Sequence, residues 1–367
     1  MQSTNKGRII AIGARSHVLY SRLLTADQYW TLLHLKSTGE IAVFLNDTSG
    51  YKNLLPVLVN AQTHRIDLEN AIRSVVLSEG KTILSALSGE RMTFFSNWLA
   101  IYEVNNLKNI FRWIRSRRLD RDTMRSRLFK VPNSKLPYDA LLNCVDYREA
   151  LTTLEGTKYH DAIADQVDDL LKGRETSLFP LEQSLDNLFE TELNQSVAHL
   201  PSADRAILAP VFGARADLYN LSNLHRCLNY YNMIIEEVLS RTLPVKYLIT
   251  NKDLRAIAKG ADNEERVEIL SHKFKAYAEI FRNAFGSKDL ELTLEINIKR
   301  YLYMLELAVF KKGTPGFHTA IGYFLLKLHE IDDLIRIIED VRYDYNRHTA
   351  VEFLIRPIIS GGEATWQ

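Results

Sequence analysis

An all-α fold follows from three features of this 367-residue sequence. It holds only 16 glycines and 9 prolines, about 7% of the chain against roughly 12% in average proteins, and a chain so poor in turn-formers makes few turns. Its apolar residues step by three and four, the spacing of one helical face. The same helical pattern also returns three times along the chain.

Along the chain, LLTADQYWTLLHLKSTGEIAVFLNDTSGY has helical spacing and ends at Tyr51. A weaker counterpart, VDYREALTTLEGTKY, ends at Tyr159, and LITNKDLRAIAKGADNEERVEIL offers the third. A second element opens on a Leu-Glu pair each time: Leu68-Glu69, Leu181-Glu182 and Leu290-Glu291. The last element aligns residues 99–112, 216–229 and 326–339 without gaps on Asn106-Leu107, Asn223-Leu224 and Asp333-Leu334. In the first copy Ile101, Val104, Leu107, Ile110 and Phe111 fall on one face, and the other copies keep this frame. Pro132, Pro137 and Pro244 mark the seams, and the loop 312–316 lies between two helices. Three helical modules are expected, at 1–130, 131–243 and 244–367, the last with a C-terminal tail. Asn106, Asn223 and Asp333 are expected to satisfy local backbone groups.

Composition narrows the function. The 46 basic and 45 acidic residues leave a net charge of +1, which argues against a counterion-displacing grip on nucleic acid. With no run of 18 apolar residues, no bilayer-spanning helix is predicted. The apolar stretch 9–14, ended by Arg15, is too short for a signal peptide. Cys144 and Cys227 are expected as free thiols in a reducing cytosol.

Motifs that resemble catalytic chemistry are incomplete. Gly80-Lys81-Thr82 lacks the earlier glycine of a phosphate loop, since position 75 is Val75, and it reads as a helix ending at Gly80. Asp332-Asp333 and Asp168-Asp169 each lack a third carboxylate one turn on, where Arg336 and Lys172 stand. His329-Glu330 has Asp333 in place of a second metal ligand. No nucleophile elbow occurs. Catalytic, cofactor and metal sites are therefore not expected. The exceptional segment is 111–130, with eight basic and two acidic residues. Read as one helix, it places Arg115, Arg118, Arg121 and Arg125 on one face, a patch suited to an acidic partner or anionic headgroups.

The helix IGYFLLKLHEIDDLIRII, with Lys327, Glu330, Leu334 and Arg336, the frame DLYNLSNLHRCL, with Asp217, Asn223 and Leu224, and the opening pattern ending at Tyr51 carry a family resemblance. Through them the chain resembles the C subunit of the prokaryotic V/A-type rotary ATPases, the counterpart of the d subunit in the eukaryotic vacuolar complex. Asp333 stands where that family more usually has Asn. The resemblance implies three modules arranged pseudo-threefold as a funnel that receives the central shaft and sits on the membrane proteolipid ring. It implies a non-catalytic coupler that passes torque between ATP hydrolysis or synthesis and proton or sodium transport. The implied location is peripheral, on the cytoplasmic face of the membrane, with no nucleic-acid partner and no small-molecule substrate. On that frame Glu103, Asn106, Leu107, Asn220, Asn223, Leu224, Lys327, Glu330, Asp333 and Leu334 are framework residues. Arg115, Arg117, Arg118 and Arg121 are candidates to face the ring or nearby headgroups. A cytosolic α-helical scaffold for a soluble protein fits the composition equally, and an isoprenoid-synthase-like enzyme is disfavoured by its incomplete Asp pairs.

Overall fold

A computed structural model describes residues 2–48, 50–52, 65–231, 233–343, 347–356 and 358, and every regular element among them is a helix. The chain forms two compact units, one from residues 1–76 and 202–367, the other from residues 77–201.

The first unit begins with α1 (Gln2–Tyr20), α2 (Ala26–His34), α3 (Thr38–Asp47) and α4 (Arg65–Ala86), which runs on past the unit boundary. The second unit contains α5 (Gly89–Leu99), α6 (Ile101–Ser116), α7 (Arg121–Ser126), α8 (Tyr138–Leu141), α9 (Tyr147–Thr153), α10 (Lys158–Leu171) and α11 (Phe179–His199). There α11 packs on α5, α6 and α10. The first unit resumes with α12 (Ser202–Asn229), α13 (Ile235–Ser240), α14 (Asn251–Ala258), α15 (Asn263–Ser271) and α16 (Lys275–Arg282). It closes with α17 (Leu290–Phe310), α18 (Phe317–Tyr343) and α19 (Arg347–Glu352).

Within the first unit α18 is the central element, packed on α1, α2, α3 and α17. Every residue from Phe317 to Lys327 is buried, the pattern of a helix enclosed on all sides. That enclosure depends on small residues. A Cβ at Gly322 would lie 2.9 Å from the backbone of Phe310 on α17, and one at Gly13 of α1 would lie 2.4 Å from the Gly316 nitrogen. Both helices therefore sit closer than any side chain permits.

The three upstream elements share one N-terminal device. Ser37, Asp146 and Asp262 each accept the N–H three residues on, from Glu40, Glu149 and Glu265, at 3.1, 2.9 and 2.8 Å. Each of those glutamates accepts in return from the residue before the cap: Lys36, Val145 and Ala261. These reciprocal bonds satisfy donors that a helix start leaves open, and they fix the starts of α3, α9 and α15.

Two expectations are corrected. The helix does not end at Gly80: α4 continues to Ala86, and a Cβ at Gly80 would meet Leu99 and Phe95 at ordinary contact distances of 3.4 and 3.7 Å. Nor is 111–130 one helix. Helix α6 stops where Arg117 turns left-handed at φ 47, and α7 restarts with Asp120 accepting the Thr123 N–H. Arg115 and Arg118 therefore do not share a helical face with Arg121 and Arg125.

Candidate functional site: buried clasps on α6, α12 and α18

Three long helices each carry an acid followed three residues later by Asn or Asp: Glu103 and Asn106 on α6, Asp217 and Asn220 on α12, Glu330 and Asp333 on α18. This spacing sets both side chains on one face, one turn apart. Asn106 Oδ1 accepts the Phe129 N–H at 2.8 Å while its Nδ2 donates to the Phe129 carbonyl at 2.9 Å. Asn220 Oδ1 accepts the Leu243 N–H at 2.7 Å, and its Nδ2 donates to the Val245 carbonyl at 3.4 Å. Asp333 accepts from the backbone N–H groups of Ile355 and Arg356 at 2.7 and 3.1 Å. Each clasped N–H lies 22 or 23 positions after its Asn or Asp. All three clasping side chains are fully buried. An irregular segment entering the core thus finds partners for backbone groups that would otherwise be orphaned.

In bonding, then, Asn220 rather than Asn223 is the counterpart of Asn106. Asn223 is half-buried, one turn further along α12, and its Nδ2 has no hydrogen-bond partner. The paired leucines Leu107, Leu224 and Leu334 are buried beside these positions.

The acids hold a second strand of contacts. Tyr159 donates to Glu103 at 2.6 Å, and Tyr51 donates to Glu330 at 2.8 Å. Asp217 accepts three successive N–H groups, from Tyr247, Leu248 and Ile249. It also acts electrostatically on buried Tyr277, which lies beyond the end of the third upstream pattern. Burial drives all three tyrosine pKa values upward, and the neighbouring acids push them further, so all three stay protonated. Tyr51 and Tyr159 donate to their acids, while the Tyr277 hydroxyl has no hydrogen-bond partner among the described residues.

The α18 site is the most highly charged. Lys327, 1% exposed, pairs with Glu330 at 2.7 Å and stands 3.9 Å from the Tyr51 ring centre. Glu330 also accepts the Leu24 N–H at 2.5 Å. His329 pairs with Glu306 of α17 at 2.6 Å; burial opposes its charge, but Glu306 outweighs it and the histidine pKa rises. Asp332 pairs with Lys299 at 2.9 Å, and although burial works against ionisation, Lys299 holds its carboxyl below the usual range. Asp333 has only uncharged donors, the third being Tyr29 Oη at 3.5 Å. Burial pushes it up to about 7, against the two backbone bonds. Asp168 is bonded to Lys172 and Arg174, and Asp169 to Arg174. Both aspartate pairs are thus committed to ion pairs and backbone.

The basic candidates divide into two kinds. Arg117 stacks over Trp113, 4.1 Å from its ring centre, and donates to the Cys144 carbonyl. Arg121 donates to Asn143 at 2.6 Å, and Arg125 pairs with Asp139. Arg115 and Arg118 are exposed, at and just beyond the end of α6. Cys144 and Cys227 are buried free thiols.

The sequence does not point to Tyr29, Glu306, Lys299 or Arg356 in the α18 site. The tyrosines closing the first and second upstream elements are its clearest available signal.

Long helices whose buried polar side chains seize irregular segments define an all-α framework protein. The chain belongs to the ATP synthase (C/AC39) subunit family, whose pattern it matches across residues 12–353. It is similar to the C subunit of the A-type ATP synthase of Methanosarcina mazei, 26% identical over 58% of this chain and 56% of the relative. It is similar also to the corresponding C subunit of Methanococcoides burtonii, 24% identical over 62% of this chain and 61% of the relative. The match to the Pyrococcus abyssi counterpart, at 23% identity, extends over 89% of this chain and 85% of the relative. For the first two relatives, the match spans about three-fifths of their length.

Proposed function

We propose that this chain is a non-catalytic central-rotor subunit of a V/A-type ATPase. It links the central shaft to the membrane proteolipid ring and transmits torque between ATP hydrolysis or synthesis and proton or sodium transport. The observation that carries this reading is the family match across residues 12–353. No helix among the described residues is long and apolar enough to cross a membrane, which is compatible with a peripheral place on the cytoplasmic face.

We also infer three modules, 1–130, 131–243 and 244–367, arranged pseudo-threefold as a funnel. The first and last clasps close inside one of these spans, 106 to 129 and 333 to 355, while the second runs from 220 to 243 and on to 245, across the seam. Two tyrosine bonds cross between spans, Tyr159 to Glu103 in the preceding one and Tyr51 to Glu330 in the last, and Asp217 acts on Tyr277 electrostatically without a hydrogen bond to its hydroxyl. The bond from the first span to the last supports a closed arrangement of three similar parts. In such a coupler the clasps supply stiffness, because each irregular connection is fixed to a helix. All four of Arg115, Arg117, Arg118 and Arg121 are exposed; Arg117 and Arg121 also hold their own loop, which leaves Arg115 and Arg118 as the stronger candidates to face a ring or headgroups.

Tagging the chain, solubilising native membranes gently and identifying what co-purifies tests the reading. Recovery of shaft and proteolipid subunits with ATPase activity is expected. A monomer without membrane partners after mild cross-linking would overturn it in favour of a soluble scaffold.

A further inference from the structure

We propose that the Asp333 clasp is a proton-dependent latch, which grips the backbone of Ile355 and Arg356 more firmly when Asp333 is protonated. Each neighbouring buried acid has its own cation: Lys327 for Glu330, His329 for Glu306, Lys299 for Asp332. Asp333 accepts only from two backbone N–H groups and a tyrosine hydroxyl. A fully buried carboxylate held by neutral donors alone keeps a desolvation penalty that its hydrogen bonds only partly offset.

The two counterparts avoid that penalty. Asn106 and Asn220 are neutral, and each both accepts from and donates to the segment it holds. A protonated Asp333 likewise offers both an acceptor oxygen and an O–H donor, whereas the ionised form can only accept. The third clasp is therefore the one that can pass between an amide-like state and a charged state.

The surroundings leave the change to Asp333. From α18 it is faced by His329 and Asp332, from α2 by Tyr29, from α17 by Arg300 and from the last segment by the backbone of Arg356. One contact further out, Glu330, Tyr303 and the Arg356 side chain surround Tyr29, Arg336 and Glu352 lie near Arg300, and Tyr51 sits against Glu330. Arg300 is engaged with the carbonyls of Glu352 and Leu354, and Arg356 with that of Leu24. A cavity of about 470 Å³ is bordered by Tyr29, Tyr303, Glu330 and Arg356. It is roomy enough for water, and it ends against Tyr29, whose hydroxyl bonds Asp333.

The sign follows from linkage. With the closed-state carboxyl raised to about 7 and an ordinary value of 3.8 once opened, opening releases a proton between those values. Closure is then firmest below about pH 4, weakens as pH rises from there to about 7, and is level above.

Hydrogen exchange by mass spectrometry, corrected for intrinsic rates, tests this on peptides containing Ile355 and Arg356. Protection is expected to fall by up to about tenfold per pH unit between pH 5 and 7 and then to level off. Asp333→Asn should abolish that slope, and Asn220→Asp should create one at residues 243–245. A slope unchanged in Asp333→Asn, or a flat profile in the unmodified chain, would overturn the latch. Should Asp333→Asn fail to fold, a flat profile at 243–245 in Asn220→Asp would overturn it equally.

Discussion

Tyr51 Oη lies 2.8 Å from Glu330 Oε1, across 279 positions of sequence. The same carboxylate receives the ammonium of Lys327 at 2.7 Å and the Leu24 N–H at 2.5 Å. A phenol, an ammonium and a backbone amide thus meet on one buried side chain. Lys327→Met leaves Glu330 buried without its cation, and is expected to destabilise the protein by about 3–5 kcal/mol. Adding Glu330→Gln should recover part of that loss; chemical denaturation of the single and double variants checks it.

The clasps separate Asn220 from Asn223. Asn220→Ala strands the Leu243 N–H in the core and should cost about 1–3 kcal/mol. Asn223→Ala removes a side chain whose Nδ2 already lacks a partner and should cost little. Equal losses in thermal unfolding would contradict this assignment.

Gly322 is a contact that admits no methyl group. With a Cβ 2.9 Å from the Phe310 backbone, Gly322→Ala must push α17 and α18 apart and is expected to destabilise by about 1–3 kcal/mol. Calorimetric Tm values for this variant and for Ala320→Gly, which only removes a methyl, would separate crowding from helix propensity.

The His329–Glu306 pair gives a pH dependence of defined sign. Burial opposes the imidazolium, but Glu306 raises its pKa above the ordinary 6.5. Its contribution is full below the unfolded value and is lost as pH rises through the raised folded value. His329→Gln should therefore reduce stability more at about pH 6 than at about pH 9.5. A difference that does not change with pH would show that the ring contributes by packing alone.

Arg115 and Arg118 should behave unlike Arg117. Charge reversal of the exposed pair is expected to leave Tm unchanged and to weaken retention on membranes at low salt. Arg117→Ala, which loses the Trp113 stack and the Cys144 carbonyl, should lower Tm. Vesicle sedimentation over a salt series, with unfolding curves on the same samples, distinguishes the two.

Periodicity makes the helices legible, because steps of three and four are written locally in the sequence. It cannot choose between Asn220 and Asn223: they lie one turn apart and each is followed by a leucine, so either frame satisfies the apolar spacing. The choice is made by Leu243, in a segment 23 residues away. The break after Ser116 is written locally too, in Asp120 and Thr123, but arginine density alone suggests one continuous face. Gly80 looks like a helix end from its neighbours in sequence, whereas α4 runs on past it to Ala86, beside Leu99 and Phe95. Acid–tyrosine partners such as Glu103 and Tyr159 are invisible to any local rule.

The α18 site has a consequence for synthesis. Leu24 is bonded to Glu330 and to Arg356, partners 306 and 332 residues downstream. Helices α2 and α3 therefore leave the ribosome long before the residues that bury them. At about 5–20 residues per second, they wait on the order of tens of seconds with an apolar face unmatched. During that interval the nascent chain is most exposed to chaperones and proteases at these two helices, and a ribosome stalled before α18 would leave them without a home.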